Sequence, residues 1–307
     1  MTAFLNWKAE SLGFLSLNRR VAKTIGKAAQ FTSCQICKNR FSNNLAGEIT
    51  MFLRLLSLLL ISLLSFPTYA GQTVVLVHGY LGDGSTWRPL GLVSALQATG
   101  WQDAGHLFPN GPRTGPIAPT PLERYVYTVT LPSEAPLPTQ AQWLDFYLRK
   151  LKAKHPNNSL ILVGHSAGGV VARLVMVMSG IPIQGLITIA SPHLGTEKAE
   201  WGTWLNNSPI GWMAPFLGLD TINRSQGLYW DLSREHPASL LFWLNRQPHP
   251  QAFYVSIVRA TGDEWVPPYS QDMNVVPALR GLAMTITVAA KHSLHPGDGP
   301  LIASLLK

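Results

Sequence analysis

The segment Leu162-Val163-Gly164-His165-Ser166-Ala167-Gly168-Gly169 constrains this chain more than any other. It follows the apolar run 159–163 directly and leads straight into the apolar stretch 167–178. A serine between two glycines at a strand-to-helix junction implies a sharp, strained bend. Side chains at positions 164 and 168 would clash there with the neighbouring strand and helix. The helix beyond Ser166 would aim its free N–H groups and the positive end of its dipole at the serine oxygen, with the Ala167 N–H among them. The competing reading is a glycine-rich turn whose serine only caps the helix.

The rest of the chain supplies the context. Residues 73–77 (Thr-Val-Val-Leu-Val) are β-branched and continuously apolar, the pattern of a strand covered on both faces. Residues 159–163, 184–190, 252–258 and 284–289 repeat it. Between them, residues 140–154 place Trp143, Leu144, Tyr147, Leu148 and Leu151 at helical spacing, and residues 167–178 are apolar around Arg173. Strands alternating with helices predict a mostly parallel sheet with helices on both faces. Two stretches break the alternation. Residues 106–138 are rich in Pro, Gly and Thr and are expected to run over the surface as a long excursion. Residues 200–245 hold Trp201, Trp204, Trp212, Trp230 and Trp243. They are expected to form either ordinary helical packing or a Trp-rich cap that roofs a pocket.

Composition excludes other classes. A chain that is 46% hydrophobic and 13% charged is not disordered, and two cysteines cannot staple 307 residues. The net charge of +8 would suit a nucleic-acid partner if the fold carried it. Eight Lys/Arg and two acidic residues fall in residues 1–70, whereas residues 71–307 hold 16 basic and 14 acidic residues. No nucleic-acid partner is expected for so neutral a body. Residues 51–70 have the order of a signal peptide: Arg54, the apolar run 55–64, then Thr68-Tyr69-Ala70 with small residues placed for cleavage. Met51 opens that pattern. Residues 1–50 are therefore expected to be upstream of the true start, with export after cleavage near Ala70-Gly71. Anchoring in a membrane by residues 51–66 is the alternative, although the apolar run falls short of the roughly 20 residues a spanning helix needs. Cys34 and Cys37 both precede the cleavage point.

Four further segments stand in a fixed order around the serine turn. They are Val75-Leu76-Val77-His78-Gly79-Tyr80; Ile189-Ala190-Ser191-Pro192-His193-Leu194-Gly195-Thr196; Thr261-Gly262-Asp263-Glu264-Trp265-Val266-Pro267-Pro268; and Lys291-His292-Ser293-Leu294-His295-Pro296. With Gly164-His165-Ser166-Ala167-Gly168, they resemble the α/β-hydrolase superfamily, more narrowly its lipases and esterases, over nearly all of residues 73–307. The resemblance implies an α/β-hydrolase fold for residues 71–307, with 200–245 as the cap. It implies Ser166 as nucleophile and the backbone N–H groups of Tyr80 and Ala167 as the oxyanion hole. His78 would be structural. Asp263 would be the acid, ahead of Glu264 and Asp272, and His292 the base, with His295 as the alternative. His193 precedes any such acid and so falls outside the family's order of serine, acid, histidine.

The implied activity is an exported serine carboxylic-ester hydrolase acting on a small-molecule or lipid ester, with transient contact to a lipid surface as a further expectation. An amidase, thioesterase or transacylase would use the same three side chains, and a binding protein on the same fold is the non-catalytic alternative. No cofactor is expected. The His-x-Glu and Cys-x-x-Cys pairs that suggest zinc are absent from residues 71–307.

Overall fold

A computed structural model describes residues 71–109, 111–113, 123–200 and 220–306. They lie within one compact unit of the chain, Thr68–Lys307. The leader and upstream segment expected in residues 1–70, and Trp201, Trp204 and Trp212 of the expected cap, lie outside the described residues.

Eight strands form one sheet: β1 (Gly71–Val77), β2 (Gln102–Phe108), β3 (Gly111–Arg113), β4 (Arg124–Val129), β5 (Asn158–His165), β6 (Ile183–Ile189), β7 (Phe253–Thr261) and β8 (Ala283–Ala289). Their spatial order is β3-β2-β4-β1-β5-β6-β7-β8. Every neighbouring pair is parallel except the antiparallel β2–β3 edge. The helices are α1 (Leu92–Gln97), α2 (Leu137–Lys154), α3 (Ala167–Met178), α4 (Asp220–Arg224), α5 (Gln226–Leu232), α6 (Leu240–Asn245), α7 (Pro268–Gln271) and α8 (Asp298–Leu305).

The apolar strands bury both faces, as their lack of polar alternation predicts. Val75, Val77, Leu160 and Leu162 face one core with Leu144 and Leu148 of α2 and Val170, Val171 and Leu174 of α3. Val74, Leu76, Ile161 and Val163 face the other with Leu92 and Leu96 of α1 and Ile302 of α8. Parallel strands joined through helices on both faces bring the carboxyl ends of β1, β5, β6, β7 and β8 to one edge of the sheet. Loops at that edge are where such sheets place ligands.

Two expectations are corrected. The described part of residues 106–138 is not simply a surface excursion. It contains the end of β2, the short β3 and all of β4, which lies beside β1 with Tyr125, Val126, Tyr127 and Val129 buried. The Pro- and Gly-rich flanks hid a β-branched and aromatic strand of six residues. The final strand is also not covered on both faces. β8 is a sheet edge and Met284 is 56% exposed. Thr285 and Thr287 alternate with the less exposed Ile286 and Val288, the pattern of a strand with one wet face.

Of the expected cap, the described part packs through leucines. Leu228, Leu232, Leu241 and Leu244 join the α2–α3 core, while Trp230 is exposed.

Several buried imidazoles make the fold sensitive to acid. His106, His165 and His249 are each pushed down to about 4, in every case first by burial. The unfolded chain takes up these protons near pH 6.5, the folded chain only near 4. Their contribution is therefore complete above pH 6.5 and is lost as the pH falls towards 4. Asp231 acts in the opposite sense, because burial raises its carboxyl to about 6. Burial lowers His78, His155 and His193 as well, so with six imidazoles against one carboxyl the urea midpoint should fall between pH 7 and pH 4.5. A midpoint that stays level or rises would contradict this assignment.

Candidate active site

Strand β5 delivers the serine turn to the carboxyl edge of the sheet. Ser166 has φ 52° and ψ −128°, a backbone conformation that side chains with a Cβ rarely adopt. Such strain is of order 1–3 kcal/mol and persists only where the surroundings enforce it. The Ser166 N–H donates to the Ile189 carbonyl of β6 at 2.8 Å. The flanking glycines are needed sterically. A Cβ at Gly164 would lie 2.4 Å from the Gly169 Cα, and one at Gly168 would lie 2.3 Å from the His78 carbonyl oxygen. The bend therefore holds the hydroxyl clear of both strand and helix.

The loop after β8 brings His292 to that hydroxyl. His292 Nε2 is 2.9 Å from Ser166 Oγ, and His292 Nδ1 is 2.9 Å from Asp263 Oδ2. An ionised carboxylate only accepts, so Nδ1 carries the proton and Nε2 is left to accept the serine proton. Asp263, in the turn after β7, has a buried side chain. Its Oδ1 accepts the N–H groups of Trp265 and Val266, each at 2.9 Å. Burial alone would raise this carboxyl. The hydrogen bonds from His292 and the two amides outweigh burial and hold it below its usual range.

Two partners escaped the sequence reading. Gln271 of α7 donates from Nε2 to Asp263 Oδ2 at 3.0 Å and accepts the Arg259 N–H at 2.7 Å, so it fixes the acid against β7. His165 donates from Nε2 to the His292 carbonyl at 2.9 Å, fastening the histidine loop to the serine turn. Neither is detectable from local pattern, because the contacts with Arg259 and His292 span 12 and 127 residues.

The other candidates lie elsewhere. The His295 ring rests against the buried Arg259–Asp298 pair, with Nε2 3.4 Å from Asp298 Oδ1. His193 is fully buried against Thr188, and burial pushes it well below its usual value. Glu264 is exposed, and Asp272 accepts the Asn274 N–H in a local turn.

The loop after β1 completes the site. His78 Nε2 accepts the Leu131 N–H at 2.9 Å, so its Nδ1–H donates to the Gly79 carbonyl at 2.8 Å. This fixes the imidazole as a neutral brace, in keeping with the burial that lowers its pKa. Gly79 lets the loop approach closely, since a Cβ there would lie 2.8 Å from the Ser166 Cβ. Among the described residues, the N–H groups of Tyr80 and Ala167 have no protein acceptor. A polarised hydroxyl, a neutral imidazole oriented by a carboxylate and two unengaged amides form the arrangement that acyl transfer needs.

Comparison with known proteins places this geometry in context. Residues 137–201 match the family described as PGAP1-like alpha/beta domain. No curated protein matches the chain. Among solved structures, the product of the lin2722 gene of Listeria innocua aligns at 15% identity and TM-score 0.51, covering 77% of this chain and 92% of that one. The mature Bacillus licheniformis lipase BlEst2 aligns at 17% identity and TM-score 0.46, covering 79% of this chain and 95% of that one. Phospholipase PlaB of Legionella pneumophila aligns at 13% identity and TM-score 0.43, covering 66% of this chain and 46% of that one. By its sheet order and its strand-to-helix serine turn, the chain has the α/β-hydrolase fold.

Proposed function

We propose that this protein is a serine carboxylic-ester hydrolase of the lipase and esterase kind, working through an acyl-enzyme on Ser166. The supporting observation is the continuous line from Ser166 Oγ through both nitrogens of His292 to Asp263, with 2.9 Å at each junction. His292 Nε2 takes the hydroxyl proton as Oγ attacks the ester carbonyl. The Tyr80 and Ala167 N–H groups receive the negative charge that develops on the carbonyl oxygen. One such preorganised donor is typically worth about 3 kcal/mol in the transition state. The imidazolium, held by Asp263, then protonates the departing alcohol. A water attacks the acyl-enzyme with His292 again as base, and the acid leaves.

The rim favours an apolar substrate. Leu81, beside the Tyr80 amide, is 60% exposed, and Trp265, whose ring centroid lies 6.5 Å from that of His292, is 57% exposed. Apolar groups standing free at a site mouth suit an apolar acyl or alcohol part, and they would also tolerate a lipid surface. Export belongs to the same proposal, with Gly71 near the mature terminus; N-terminal sequencing of the protein recovered outside the cytoplasm tests it.

The activity is tested with p-nitrophenyl esters of increasing acyl length. The expected result is turnover that depends on Ser166 and His292 and rises from acetyl to a longer chain. Equal turnover in the Ser166→Ala variant would reject the mechanism, and a steady fall beyond acetyl would reject the apolar acyl preference.

A further inference from the structure

Helix α5 reaches the oxyanion loop through a single hydrogen bond. The phenol oxygens of Tyr80 and Tyr229 are 2.5 Å apart, and their rings meet edge to face with centroids at 5.6 Å. The two residues are 149 positions apart in the chain. Each end of this contact has a different mechanical character.

The α5 end is fixed independently of Tyr229. Asp231 accepts the Leu137 N–H at the start of α2 at 2.8 Å, and the Thr196 N–H donates to the Leu232 carbonyl at 2.9 Å. Arg224, just before α5, pairs with Glu134 at 2.6 Å. Gly227 lies so near Pro136 that a Cβ there would come within 2.6 Å of the proline ring. The oxyanion-loop end is held mainly through its backbone. Leu81 has φ 55°, a left-handed conformation unfavourable for a branched side chain, and its side chain stands in solvent. It therefore cannot anchor the loop. The His78 brace holds the loop's start, and the Gly82 N–H to the Gly79 carbonyl at 3.1 Å and the Gly84 N–H to Thr130 Oγ1 at 3.2 Å hold its far side; between them the Tyr80 side chain ties the loop to α5.

We infer that Tyr229 is a positioning residue: through the Tyr80 hydroxyl it sets the direction of the Tyr80 N–H towards the reacting carbonyl oxygen. This rests on the ester-hydrolase reading, in which the Tyr80 amide stabilises the oxyanion. The described part of the expected cap would then govern transition-state stabilisation without touching substrate. A donor that is misdirected still admits the ground-state ester, so losing the tether lowers kcat more than it changes KM.

The test uses the full protein with Tyr229→Phe, Tyr80→Phe and the double variant. Each Phe keeps the ring and removes one hydroxyl. A net hydrogen bond of ordinary strength corresponds to about a tenfold change. The expected result is therefore about tenfold lower kcat in Tyr229→Phe, with KM within about twofold. Affinity for a trifluoromethyl ketone, which forms a tetrahedral oxyanion on the serine, should fall by the same factor. Tyr80→Phe should match it, and the double variant should be no worse than either single one.

Amide exchange of residues 78–82, followed by mass spectrometry, reads the tether without any reaction, and it should accelerate in both single variants. Unchanged exchange, or unchanged kcat and ketone affinity in a protein that turns over esters, overturns the inference. Faster exchange in the variants, with a wild-type protein that shows no turnover and no ketone binding, overturns the ester-hydrolase reading, and the catalytic part of the inference with it.

Discussion

Replacing Ser166 with Ala should lower kcat for a p-nitrophenyl ester by ~10⁶-fold, and His292→Ala by a similar factor. The size follows from the geometry. In the proposed reaction Ser166 Oγ becomes acylated, and His292 Nε2, at 2.9 Å, is the imidazole nitrogen placed to take its proton. The two losses should not add, because each variant already disables the same step. The double variant should match the single ones and retain only what substrate binding and the two free amides contribute. His295→Ala should keep most of the activity, since its ring faces the Arg259–Asp298 pair and not Ser166. Steady-state kinetics on the four proteins check this. Full activity in His292→Ala, with loss in His295→Ala, would move the base three residues along the loop.

Asp298→Ala should cost about 3–5 kcal/mol of folding stability. Arg259 and Asp298 are both fully buried and meet at 2.7 Å. Asp298 Oδ2 also accepts the His295 N–H at 2.9 Å. One carboxylate thus fastens the end of β7, the loop that carries His292 and the first turn of α8. Removing it leaves a guanidinium in the interior without its counter-charge, and the missing partner accounts for most of the cost. Replacing both residues by apolar ones of similar volume, Arg259→Met with Asp298→Leu, should recover much of the stability. Urea unfolding of the single and double variants makes the comparison. A loss below about 1 kcal/mol in Asp298→Ala would show that the interior tolerates the charge, contrary to expectation. The single variant should also lose ester turnover at temperatures where it remains folded, because the histidine loop shares that anchor.

Much of this architecture is legible in local patterns, for identifiable reasons. A strand covered on both faces lacks a regular polar alternation, so β1, β5, β6 and β7 stand out. The serine turn needs small residues at fixed offsets, and Gly164 and Gly168 declare themselves by position. Asp263 and His292 are legible only because their order and their place after a strand are shared across a superfamily.

What stays hidden has a common physical cause. Strand β4 lies between Pro- and Thr-rich flanks, and its six residues are too few for periodicity to outweigh their surroundings. Nothing in the run 283–289 marks β8 as an edge, because neighbour number is a property of the sheet. Gln271 acts through partners 8 and 12 residues away, and His165 and Tyr229 through partners 127 and 149 residues away. A glutamine, a histidine and a tyrosine on a short helix or turn carry no spacing signal for such contacts.

Under the ester-hydrolase proposal, His292 activates the Ser166 hydroxyl in a site open to substrate. This is tested most directly by incubating the native protein with a fluorophosphonate, measuring intact mass and mapping the modified peptide. A single adduct is expected on Ser166, formed within minutes, absent from Ser166→Ala and far slower to form in His292→Ala. No adduct on the native protein, or an adduct on another residue with Ser166 unmodified, would contradict the proposal.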